Sequence, residues 1–102
     1  MERKLTTIFA SDVVGFSKMM GLNEVQTLKI LKERRITIDN IIKEHGGIIF
    51  GSAGDSVIAE FSSPLKAAEA AVATQRSMKI MNQGKDKSEQ MNFRVGINIG
   101  DV

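Results

Sequence analysis

No cysteine, tryptophan or tyrosine occurs in this 102-residue sequence, and proline and histidine occur once each, as Pro64 and His45. Without cysteine there is neither a disulfide nor a thiolate metal centre, a composition that fits a reducing compartment. A single histidine excludes any centre built on several imidazoles. The five phenylalanines are the only aromatic residues, which is little material for stacking on bases. The 14 basic residues are interleaved with 12 acidic ones, as in KERRITIDNIIKEH, and form no basic block. A nucleic-acid partner is therefore not expected. No apolar run approaches the roughly 20 residues that cross a bilayer. The start, MERKLTTIFASDVV, places positive charge ahead of apolar residues, but Thr6, Thr7, Ser11 and Asp12 interrupt any signal-peptide core. The chain reads as cytoplasmic, without a membrane segment, and as one domain with a modest core.

What is present falls into a simple order. Residues 4–13, rich in Thr, Ile, Phe and Val, predict a strand. NEVQTLKILKERRITIDNIIKEHGG predicts a long helix, with Asn23 as N-cap, Gln26 completing a capping-box pattern and Gly46 as a left-handed stop. Its apolar face is expected to comprise Val25, Leu28, Leu31, Ile38, Ile41 and Ile42. In GIIFGSAGDSVIAEF two short apolar runs flank turn residues, which predicts a hairpin. SSPLKAAEAAVATQRSMKIMNQG predicts a second helix capped by Ser63, with Pro64 in its first turn and alanines for close packing on a sheet. Met78 and Met81 read as core filler, and His45 as a helix C-terminal residue facing exposed carbonyls. NQGKDKSEQMN predicts a polar loop, and FRVGINIGDV alternates cleanly as a last strand.

The order β-α-β-β-α-β is the α+β, ferredoxin-like plan. A right-handed crossover leaves a slot between the first two strands, and the third fills it antiparallel to the first. The end of the first strand then lies beside the start of the third. Asp12, which closes the apolar run of FASDVVGFSKMM, should meet the hairpin residue Asp55 at one edge of the sheet. Two carboxylates held together repel unless a cation lies between them. A hard cation such as Mg²⁺ takes oxygen ligands and shares them with water and substrate phosphates. Gly15 and the amides after it offer a loop open to an anion. Taken singly, these residues are ordinary: a strand-end Asp as a turn residue, Gly-Asp as hairpin chemistry, Arg94 as a solvated strand residue. Their convergence is what points to chemistry.

The stretches TTIFASDVVGFSKMM, EHGGIIFGSAGDSVIAEFSSPLKAAEAAVATQ and FRVGINIGDV resemble class III adenylate/guanylate cyclase catalytic domains through nearly all of the chain. The resemblance implies a ferredoxin-like core that pairs head to tail as a homodimer, with active sites at the interface. It implies conversion of a nucleoside triphosphate, ATP ahead of GTP, to a 3′,5′-cyclic nucleotide and pyrophosphate. Asp12 and Asp55 match the acids that hold two divalent ions, Mg²⁺ or Mn²⁺, in that family, and are the catalytic candidates. Val13 matches the residue whose carbonyl joins them. Gly15, Phe16 and Ser17 match the loop that wraps the phosphates, and Arg94 matches a phosphate-contacting arginine.

Two departures stand out. Many family members carry a base-selecting Lys or Glu at the position of Gly51, which leaves the choice of purine open. The family's domain also continues past the equivalent of Val102, with a second base-contacting residue and an Asn and Arg that act across the dimer. The expectation is a partial catalytic domain, residues 1–102, with little or no turnover alone. The alternative is a non-catalytic dimerisation or nucleotide-sensing module of the same fold. An RNA-recognition module shares the element order but needs aromatics exposed on its central strands, for which only Phe9 and Phe61 are candidates. A diguanylate cyclase hairpin carries a second acid that AGDSV lacks.

Overall fold

A computed structural model describes residues 5–101. In chain order the elements are β1 (Leu5–Val13), α1 (Phe16–Leu22), α2 (Glu24–Glu44), β2 (Ile48–Ala53), β3 (Ser56–Phe61), α3 (Pro64–Asn82), a 3-10 turn (Lys87–Glu89) and β4 (Phe93–Asp101). The sheet order is β2-β3-β1-β4, with every neighbouring pair antiparallel. This is the expected ferredoxin-like plan with one added helix, α1. Lys4, expected to begin the first strand, lies outside the described residues.

Strand β1 is central because it can hide one face and hydrogen-bond along both edges. Thr7, Phe9, Ser11 and Val13 alternate onto the helix side and are all buried. Phe9 packs on Phe61 of β3 with ring centroids 6.0 Å apart and tilted planes. Ile38 and Ile42 of α2 and Ala67, Ala70 and Met78 of α3 close the core from one side. The alanines let α3 approach the sheet. The opposite face, carrying Ala10, Arg94, Gly96 and Asn98, is exposed.

The caps form as expected, with one exception. The Asn23 side chain accepts from Gln26 N–H at 3.0 Å, and Ser63 Oγ accepts from Lys66 N–H at 3.2 Å. The reciprocal half of the capping box is not made, because Asn23 N–H donates to Met19 O. Gly46 ends α2 at φ 80°. His45 Nδ1 lies 2.8 Å from Ile41 O, in the C-terminal role expected of it.

Three expectations need correction. Val25 and Leu28 are exposed, and Thr27 and Arg34 are buried on α2 in their stead. The buried stripe is Thr27, Leu31, Arg34, Ile38, Ile41 and Ile42, and α1 is tied to its start by a bond from Thr27 Oγ1 to Met19 O. The segment after Gly15 is a helix, not an open loop. The stretch after α3 is not simply polar, since Met91 within it is fully buried. Ile97 and Ile99 share a face with Phe93 but are exposed, because the helix layer leaves that end of β4 uncovered among the described residues.

One close approach explains a glycine. A Cβ on Gly47 would stand 2.5 Å from the Phe61 ring and 2.7 Å from Ile42 Cγ2. No side chain fits between the end of α2 and the sheet.

Candidate functional site

The site begins where β1 stops. Asp12 lies opposite Arg94 in the β1–β4 register, on the uncovered face. Arg94 Nε donates to Asp12 Oδ1 at 2.8 Å, with the two side chains 70% and 41% exposed. An ion pair this open is screened by water and salt. The hydrogen bond to Asp12 and the charge of Asp12 push the Arg94 guanidinium above its ordinary pKa, and Asp55 adds to the effect.

Asp55 arrives from the other side of β1. It sits with Gly54 in the two-residue turn between β2 and β3. The pairing of Ser11 with Val57 carries Asp55 to the level of Val13. There Asp55 Oδ2 accepts the Val13 N–H at 2.9 Å, so a carboxylate terminates the ladder where a backbone carbonyl would otherwise stand. The next amide, Val14 N–H, donates the opposite way, to Asn92 O at 2.9 Å. Gly15 then turns the chain at φ 69°, a left-handed conformation that favours glycine, and α1 starts at Phe16.

Asp12, Val13, Gly15, Phe16, Ser17, Asp55 and Arg94, the residues singled out in the sequence, all line one open cavity of about 550 Å³. Lys18 and Ser56 line it too and escaped the sequence reading. Lys18 directly follows Ser17, so the helical turn begun at Phe16 would have drawn attention to it. Ser56 directly follows Asp55. A second cavity of about 290 Å³ shares Asp12, Ser56 and Arg94 and runs over Ala10, Ile58 and Gly96 of the uncovered face. Gly51 pairs with Ile58, past a bulge at Phe50. A Cβ there would meet Ile58 at an ordinary 3.4 Å, so sterics do not demand glycine at this position.

The donor set is all oxygen. Asp12 commits Oδ1 to Arg94 and Asp55 commits Oδ2 to Val13, which leaves one carboxylate oxygen of each for another partner. No cluster of three or more His, Cys, Asp or Glu side chains occurs among the described residues. Two carboxylates beside a backbone carbonyl suit a hard ion that completes its shell with water and phosphate. They suit a soft metal poorly. No helix among the described residues is long and apolar enough to cross a membrane.

Comparison with known proteins identifies the family. The family model for the adenylate and guanylate cyclase catalytic domain matches residues 2–102. A curated protein of Rhizobium meliloti (strain 1021), named "Putative adenylate cyclase 3", is 34% identical over all of this chain, which spans 18% of that relative's length. The crystal structure of an adenylate/guanylate cyclase/hydrolase from Silicibacter pomeroyi superposes with a TM-score of 0.87 at 37% identity, over 98% of this chain and 59% of its own. That of the adenylyl cyclase CyaB from P. aeruginosa gives 0.82 at 27% identity, over 98% and 58%. The sheet order, the meeting of two acids at the end of β1 and a family match along nearly the whole sequence lead to one conclusion: the chain belongs to the adenylate and guanylate cyclase catalytic domain family.

Proposed function

We propose that this chain supplies the metal- and phosphate-binding part of a nucleotide cyclase active site, acting on ATP in preference to GTP and working as a homodimer. The observation that carries the reading is that Asp12, near the end of β1, and Asp55, brought in by the β2–β3 turn, stand at the wall of one cavity.

Asp12 and Asp55, with the carbonyl of Val13, would hold two Mg²⁺ or Mn²⁺ ions. When bound, such ions make a ribose 3′-hydroxyl easier to deprotonate for attack on the α-phosphorus and offset the charge of departing pyrophosphate. Gly15, Phe16 and Ser17 present backbone amides to the phosphates, and the Gly15 turn keeps side-chain bulk out of the way. Arg94 and Lys18 bring positive charge to the same wall, and Arg94 contacts phosphate. Phosphoryl chemistry of this kind depends on positioning and charge neutralisation more than on covalent work by the protein.

The cavity lining offers ligands for metal and phosphate, and Gly51, outside that lining, has no side chain with which to read a purine. The remaining contacts are those the family supplies across its dimer from residues past the equivalent of Val102, so residues 1–102 by themselves turn over little substrate. Titration with Mn²⁺, followed by assay of cyclic nucleotide from ATP and from GTP across protein concentrations, tests the reading. Asp12→Asn should weaken Mn²⁺ binding at least about tenfold without unfolding the chain. Unchanged Mn²⁺ affinity in that variant would overturn the metal assignment. Robust cyclic nucleotide formation by dilute monomer would overturn the need for a second copy.

A further inference from the structure

Among the described residues Arg34 is the one arginine in the core, 2% exposed, on the stripe of α2 that also holds Thr27, Leu31, Ile38, Ile41 and Ile42. Burial lowers its pKa, partly offset by Glu33. A buried guanidinium is costly unless its donors are used, and here no carboxylate among the described residues bonds to it. Its partners are Met78 and Asn82 of α3 and Met91 of the segment that leads into β4. Nη1 donates to Met91 O at 2.9 Å and touches Met78 Sδ at 3.6 Å, while Nη2 donates to Asn82 Oδ1 at 2.6 Å.

Asn82 completes the arrangement. Its Oδ1 also accepts Met91 N–H at 2.9 Å, and its Nδ2 donates to Met91 O at 3.2 Å and to Asn92 Oδ1 at 3.1 Å. Both backbone polar groups of Met91 are thus held by side chains of α2 and α3. The next residue, Asn92, offers the carbonyl that receives Val14 N–H. Two residues further on stands Arg94, bonded to Asp12. The cavity-lining stretch Val13–Gly15 is therefore pinned on its β3 side by Asp55 and on its β4 side by Asn92, and the second pin is fixed in place from Arg34.

We infer that Arg34 is a positioning residue for the cyclase site: through Asn82 and Met91 it sets Asn92, and through Asn92 it sets the turn at Val14–Gly15 that frames the metal and phosphate ligands. A core residue that only filled space would be replaced without loss by a well-packed apolar side chain of similar length. The fork of donors aimed at two acceptors on another segment serves placement. This inference rests on the proposed metal role of Asp12 and Asp55.

The test uses Arg34→Met, which keeps length and removes the donors, and Arg34→Lys, which keeps the charge and one donor. Amide hydrogen exchange at Val14 is measured against the β1–β3 ladder as an internal control, and Mn²⁺ affinity is measured without nucleotide. Val14 should exchange about tenfold faster in Arg34→Met, the worth of a lost charged hydrogen bond, with the control ladder unchanged. Mn²⁺ affinity should fall in parallel, and Arg34→Lys should lie between wild type and Arg34→Met in both. If Arg34→Met does not fold, Arg34→Lys alone carries the comparison. Wild-type exchange at Val14, or faster exchange spread evenly over all strands, would overturn the inference. If the wild type binds no Mn²⁺, the metal assignment fails instead, and the Val14 result still decides whether Arg34 sets the turn.

Discussion

Arg94 sits opposite Asp12 as a tethered cation, and a divalent ion binding there must share that carboxylate with it or displace it. Replacing Arg94 with Met removes a competitor and a source of repulsion. Arg94→Met should therefore tighten the binding of Mn²⁺ alone by roughly two- to fivefold, the worth of an exposed ion pair. The same change should weaken triphosphate binding. Calorimetric titration of each ligand separates the two effects, and the gain for Mn²⁺ should shrink at high salt. Looser Mn²⁺ binding in the variant would mean that Arg94 orients Asp12 more than it competes for it. Asp12 and Asp55 could be anticipated because each closes or interrupts an apolar run. Arg34 could not be anticipated from residue type, since an arginine among Lys32, Glu33 and Arg35 looks like a solvated face. Its spacing from Leu31 and Ile38 was the available clue.

The elements form for reasons that substitutions can probe. Asn23→Ala removes the side-chain acceptor at the start of α2 and should cost about 1 kcal/mol, read from urea unfolding. Gly47→Ala drives a methyl against Phe61 and Ile42 and should cost about 1–3 kcal/mol by overpacking. A stability equal to wild type would show that the α2–β2 connection shifts freely. Helix α1 was not legible in the sequence. Its seven residues are too few for a periodic pattern, it contains Gly21, and its cap is a left-handed glycine without a side-chain acceptor. Tertiary ties, such as Thr27 to Met19, hold it where local propensity does not. The bulge at Phe50 was hidden for a similar reason: an unpaired residue in a short hairpin strand leaves no mark on alternation. The hairpin, the long helices and β4 were legible because period and punctuation agreed there.

Across the whole molecule, the helices cover one face of the sheet and leave the other with Ala10, Gly96 and Asn98 in the open. If a second copy docks there, Ala10→Arg should reduce self-association in sedimentation while leaving the thermal midpoint within a few degrees. An unchanged association constant would place the contact elsewhere. The strand order could be anticipated because crossover handedness allows few arrangements for this element sequence. The uncovered end of β4 could not, because alternation reports a face and not whether anything lies over it. The central place of β1 also has a bearing on how the chain acquires its site. The β2–β3 hairpin closes over two residues, whereas Arg94 reaches Asp12 across 82 positions, a closure whose length-dependent entropic cost is about 4 kcal/mol. Local pairing comes early and β4 joins late. During synthesis the acid at the end of β1 thus has no cationic neighbour from β4 until nearly all of these residues have left the ribosome, and the pocket assembles only once β4 has joined.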